Sequence, residues 1–283
     1  MKRYFSHVYM TVLIIAISMT HCDKVDFPYP PKEVVDTTGT VFTDTFMRAT
    51  GNYRAVLLEE FTGQGCPNCP GGTQVALQLD SIYGDTLVTV AYYSGAFADP
   101  SVYPKITKDL RTPEGENYLT TFNPLAYPSA LISRTGNGQI KSVGQWEPAL
   151  KSEKAKPNAV TLKLTAFYSP SNRVLKLSVD GTFLTALSGE IKLVVILSED
   201  HITDWQQVGA NENYSYDHRH VFRKSLNSAW GEVIGNTQAN DTFSLEYTTQ
   251  LPDDWKENDM TAIAYIYNSQ TYEVYQVVDV HLH

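Results

Sequence analysis

Hydrophobic and polar positions change rhythm several times along this chain. An apolar run from Val8 to Met19, preceded by Lys2 and Arg3 and followed by Cys22, gives way to a polar stretch rich in Pro, Thr and Asp over residues 23–50. Periodicity there is weak and predicts at most one short strand, around Thr40 to Phe46. Residues 55–61 then read Ala-Val-Leu-Leu-Glu-Glu-Phe, a buried strand that runs into the turn Thr62-Gly63-Gln64-Gly65. Val75, Leu79 and Ile82 recur at helical spacing, with Gly84 placed to end the helix, and Leu87 to Tyr93 form the next strand. Strand, helix, strand is a βαβ unit, which implies parallel strands joined by a right-handed crossover. Helix with loops is expected from Pro104 to Phe122, a strand over Ser129 to Ser133, and a closing helix over Gln145 to Ala155.

Past Lys156-Pro157-Asn158 the pattern becomes strands separated by turn residues. They are expected at Val160 to Tyr168, Val174 to Phe183, Ile191 to Ser198, His218 to Lys224, Thr242 to Thr248, Thr261 to Tyr267 and Val274 to His281. Runs of this kind without clear helices indicate an antiparallel sandwich. The expected organisation is therefore a signal segment (1–22), a tether (23–50), an α/β domain (51–156) and an all-β, Ig-like sandwich domain (157–283).

Of the 283 residues 42% are hydrophobic and 19% charged, a globular composition, and the formal net charge is -9. Nucleic acid is excluded as a partner, because no cluster of Lys and Arg offers itself to a phosphate backbone. The run from Val8 to Met19 is short for a membrane span of about 20 residues and has the shape of an export signal. Cys22 stands where a lipoprotein signal peptidase would cut, which would leave a lipidated cysteine holding the protein on a bilayer. A conventional cut after Ser18 is the alternative, and His21 departs from the usual Gly, Ala or Ser. With Cys22 lipidated, the odd count of three cysteines leaves Cys66 and Cys69 as the thiol chemistry of the mature protein.

A lone C-x-x-C reads as a redox pair, half a zinc site or chance. Zinc would need two more ligands from distant His or acidic residues, so no metal is expected. Between a strand and a helix, backbone N–H groups and the helix dipole stabilise a thiolate on the first cysteine, which makes Cys66 the nucleophile. A thiol of pKa about 8.5 is about 3% ionised at pH 7, whereas one at about 6 is about 90% ionised, roughly a thirtyfold gain in reactive species. Cys69, one turn on, would resolve the mixed disulfide.

Val56-Leu57-Leu58-Glu59-Glu60-Phe61, Cys66-Pro67-Asn68-Cys69 and Tyr127-Pro128-Ser129 resemble the thioredoxin superfamily in order and approximate spacing, over about a hundred residues. The resemblance implies that Glu60, six residues before the first cysteine, is a buried acid that takes the proton of the resolving thiol; alternatively Glu60 faces water at a strand end. It also implies a cis-proline at Pro128, with Tyr127 beside it presenting backbone to a substrate peptide; an ordinary strand-entry proline is the alternative. Two departures stand out. Gly65 replaces the aromatic residue that often precedes the motif, and Pro70-Gly71-Gly72 is a poor helix opening.

Further on, Ile196-Leu197-Ser198-Glu199-Asp200, Tyr216-Asp217-His218-Arg219-His220-Val221-Phe222-Arg223 and Ala229-Trp230-Gly231-Glu232, with the front half, resemble the twenty-eight-kilodalton outer-membrane protein family of Bacteroidetes-type bacteria. That resemblance spans nearly the whole mature chain. It implies an outer-membrane lipoprotein on the periplasmic or cell-surface face, and it supplies architecture rather than activity. His218 and His220 would share a strand face, as ordinary strand residues or as metal ligands. Trp205, Tyr214, Tyr216, Trp230 and Trp255 would pack the sandwich or line a peptide or glycan surface. Two functions follow: a thiol-disulfide oxidoreductase acting on protein or peptide thiols without a cofactor, or a binding lipoprotein with a static disulfide. Oligomeric state is not legible.

Overall fold

The computed structural model describes residues 35–282. The front half contributes β1 (Asp44–Ala49), β2 (Val56–Thr62), α1 (Cys69–Tyr83), β3 (Leu87–Tyr93), α2 (Pro113–Phe122), β4 (Ser129–Ile132), the single turn α3 (Thr135–Gly138), β5 (Lys141–Ser142) and α4 (Trp146–Lys154). The rest supplies β6 (Val160–Ser169), β7 (Val174–Phe183), β8 (Ile191–Glu199), β9 (Ile202–Val208), β10 (Asn211–His218), β11 (Val221–Ser225), β12 (Glu232–Val233), β13 (Thr242–Gln250), β14 (Met260–Asn268) and β15 (Val274–His281). The protein is mostly β with some helices, and its sheets are largely antiparallel. Among the described residues no helix is long and apolar enough to cross a membrane.

β2 and β3 are buried throughout and run parallel, Val56 opposite Leu87 and Thr62 opposite Tyr93, as continuous apolar strands covered on both faces do. The period of two sends successive β2 side chains to different layers. Val56 and Leu58 pack on Ala76 and Leu79 of α1 and on Trp146 and Leu150 of α4. Leu57 and Phe61 pack on an aromatic layer with Tyr92, Tyr118, Phe222 and Tyr265. α1 turns Ala76 and Leu79 inward but leaves Ile82 exposed, so the expected apolar stripe is rotated toward its N-terminal turn.

The large sheet crosses the expected boundary at residue 156. Its order is β15-β14-β8-β11-β3-β2-β4-β5, with β12 beside β8, so strands from both halves lie in one hydrogen-bonded array. The junction is β11 against β3: the Ala91 N–H donates to the His220 carbonyl at 2.7 Å, and Val221 stands opposite Ala91. The segment near Lys156 is pinned rather than loose. Lys156 bonds Glu153 and Glu273, and the buried Gln276 side chain donates to Tyr53 O, Asn158 Oδ1 and Val160 O while accepting from the Ala55 N–H.

A second sheet, β1-β6-β7-β13, shares a core with β8, β14 and β15. Its edge strand β1 lies in the stretch read as tether, starts four residues later than the strand expected at Thr40, and pairs along its whole length with β6. The β9–β10 hairpin forms a small sheet of its own.

Candidate functional site

Cys66 and Cys69 lie between β2 and α1 and are joined by a disulfide, with 5.4 Å between their Cα atoms. Each is 1% exposed. The helix begins at Cys69 with Pro70 in its first turn, where the missing N–H would have had no partner anyway. The Pro70-Gly71-Gly72 opening therefore does not delay the helix. Gly72 is required by close approach: a Cβ there would lie 2.6 Å from Pro128 Cβ and 2.7 Å from Glu60 Oε1. Gly65 is required in the same way, because a Cβ would sit 2.4 Å from the Tyr103 ring. That ring, stacked between Phe97 and Trp205, comes from a distant loop.

The adjacent acids of β2 part company. Glu59 faces the aromatic layer, where its carboxylate takes Arg134 Nε at 2.7 Å, Arg134 Nη2 at 2.6 Å and the Tyr92 hydroxyl at 2.8 Å. Both members of this ion pair are fully buried, and the guanidinium lies within 4.9–5.7 Å of the ring centres of Tyr118, Phe122, Trp230, Tyr265 and Tyr267. Glu60 faces the helix side, is 1% exposed and has no hydrogen-bond partner for Oε1. Burial, with the negative charge of Asp80 second, pushes its carboxyl up to about 8, so it carries a proton at pH 7. It does not face water.

The Tyr127–Pro128 bond is cis. Pro128 lies against the first turn of α1, and Tyr127, half-buried, meets the Phe97 ring edge-on and places its hydroxyl 3.3 Å from Ser94 Oγ. The structure thus brings Cys66, Cys69, Glu60, Tyr127 and Pro128 to one end of β2. Cys22 lies outside the described residues.

The two histidines do not share a strand face. His218 ends β10 fully buried, its Nδ1 2.9 Å from the Tyr93 hydroxyl, and burial holds it at about 4, hence neutral. His220 lies beyond the strand at φ 54° and faces Asp80 at 3.3 Å. Among the described residues no three His, Cys, Asp or Glu are grouped to hold a metal. Trp205 is buried, Trp230 belongs to the Arg134 layer, Trp255 covers Arg223 at 4.6 Å and Tyr214 is exposed.

What the sequence did not announce is the cover over the motif. Gln207 N donates to Gln64 O at 2.8 Å, Gly209 N to Pro67 O at 2.9 Å, and the buried Gln206 Nε2 to Cys66 O at 3.0 Å and Gly63 O at 3.4 Å. Asp204 of the same hairpin accepts from the Thr107 and Lys108 N–H groups and the Thr107 hydroxyl, tying in the loop that carries Tyr103. A shallow groove remains beside the motif, between Pro67, Asn68, Pro70 and Gln74 on one side and Val208 and Tyr216 on the other.

Several solved structures are similar to this chain. HBP35 of Porphyromonas gingivalis aligns with a TM-score of 0.64 at 16% identity, covering 82% of this chain and 76% of its own. A protein of Agrobacterium tumefaciens aligns at 0.50 and 11% identity, covering 83% and 97%. A domain of the outer membrane lipoprotein Omp28 from Porphyromonas gingivalis gives 0.32 at 23% identity, over 44% of this chain and 88% of the domain. Comparison with curated protein sequences finds no match. The family model for the outer membrane protein Omp28 matches residues 116–283, more than half of the chain, and this protein belongs to that outer-membrane family.

Proposed function

We propose that this outer-membrane protein exchanges disulfides with protein or peptide thiols, through a thioredoxin-like unit over residues 51–156 carried by an Ig-like sandwich over residues 157–283. The observation that carries the reading is Glu60, a buried carboxyl protonated at neutral pH against the same helical turn as Pro128, one turn from Cys69. An acid in that state can return a proton to the Cys69 thiolate when the disulfide is reduced, and take it back when Cys69 attacks. In the oxidising direction a substrate thiolate attacks Cys66 Sγ and expels Cys69 as thiolate. A second substrate thiolate then displaces Cys66, so two electrons pass from the two substrate thiols, which become a disulfide, to the pair. Tyr127 and Pro128 form the wall against which an extended substrate strand docks, and the lipid on Cys22 holds the chain to the periplasmic or cell-surface face of the membrane.

In a Cys69→Ser variant the Cys66 thiolate attacks a substrate disulfide and expels one substrate thiolate, and with no second cysteine to resolve the adduct, substrates accumulate as mixed disulfides on Cys66 that disappear on reduction. The burial of both cysteines favours a second reading, a structural bridge in a binding lipoprotein. That reading requires no adducts and a reduction potential below about -300 mV.

A further inference from the structure

The β9–β10 hairpin is an excursion between two neighbouring strands of the large sheet: the chain leaves β8 at Glu199 and rejoins beside it in β11 at Val221. Among the described residues its strands pair only with each other. The two corners are left-handed, His201 at φ 57° and His220 at φ 54°, and Asp200 holds the far corner by accepting from the His220 N–H and Arg219 Nε. The base is anchored by Ile202, Trp205 and His218, all buried. The distal half is exposed from Gly209 to Ser215, and what ties it down there is the ion pair of Glu212 with Lys105 in the loop that carries Tyr103.

Its attachments to the motif differ in kind from a sheet ladder. Gln206, Gln207 and Gly209 donate to carbonyls of residues 63–67, and none of those bonds belongs to the pairing of β9 with β10. The distal hairpin can therefore leave the motif without unpairing a strand. While it is seated, Cys66 is 1% exposed.

We propose that the distal β9–β10 hairpin is a hinged cover and that exchange at Cys66 proceeds only when it lifts. Gln206 is its latch, a positioning residue that holds the cover through the Cys66 carbonyl. The inference rests on the redox reading, since a bridge that never exchanges needs no cover, and it selects substrates by requiring them to displace or await the hairpin.

The test is chemical reduction of the intact chain by dithiothreitol, which closes to a cyclic disulfide as Cys66–Cys69 takes up two electrons and two protons, followed by alkylation of the freed thiols. In the wild type the rate should rise with dithiothreitol and then level off at the opening rate. Gln206→Ala, which removes both side-chain bonds to the motif, should reduce roughly tenfold faster below the plateau. Glu212→Ala, in the exposed distal half, removes the ion pair with Lys105 and should act in the same direction even if the buried substitution disturbs folding. Wild-type rates in both variants, with circular dichroism unchanged, overturn the cover. Faster reduction in the variants with no adducts in Cys69→Ser keeps the cover and overturns the redox reading instead.

Discussion

Glu60→Gln removes a carboxyl whose proton affinity rises from the ordinary 4.5 to about 8 on folding. A group protonated more readily in the folded chain stabilises it fully below the unfolded pKa and loses that contribution as pH climbs through the folded one. At about 1.4 kcal/mol for each tenfold in proton affinity, the loss amounts to about 3 kcal/mol by pH 6.5 and about 4 by pH 8, approaching about 5 at pH 9. His218 works in the opposite sense. Held at about 4 instead of 6.5, it adds most of its stability as pH rises between those values and only about 0.4 kcal/mol above them. The clean window is therefore pH 6.5 to 8, where Glu60 accounts for a decline of about 1.5 kcal/mol. Urea unfolding with the disulfide intact, at constant ionic strength, measures it. The glutamine variant should lose that slope, whatever its absolute stability, because a buried amide without a partner costs about 1–3 kcal/mol at every pH. An unchanged slope in the variant would refute the assignment of a buried, neutral Glu60.

Arg134→Met strands the Glu59 carboxylate among aromatic rings and should cost about 3–5 kcal/mol of unfolding free energy, whereas adding Glu59→Gln should recover most of it. Denaturant titration of the two variants measures the difference. Labelled palmitate should enter the wild-type chain in cells and fail to enter Cys22→Ala.

Much of this architecture is written locally. Val174–Phe183 and Val274–His281 form strands over the residues expected for them, and the apolar runs of β2 and β3 identify buried parallel strands. Cys66 and Cys69 were legible as a pair following a strand end, and Glu60 and Pro128 through the resemblance to the thioredoxin superfamily. The β9–β10 hairpin was not, since Thr203, Asp204, Gln206, Gln207, Asn211, Glu212 and Asn213 carry no period and the hairpin is held by Trp205, Asp204 and Gln206 reaching other segments. The pairing of β11 with β3 has no local signal either, because strand order within a sheet leaves no trace in periodicity. The same holds for Tyr103 over Gly65 and Arg134 against Glu59, each a meeting of residues far apart in sequence.

The seam between β3 and β11 also sets a timetable. Ala91 must wait for His220, and Ala55 for Gln276, before their main-chain donors are satisfied. The segment carrying the cysteines emerges early yet is completed by residues near the other end, so its closure entropy is met late. A chain truncated near residue 156 would display β3 as a bare, apolar strand edge, the kind that aggregates. The front half is first to be made and among the last to be finished.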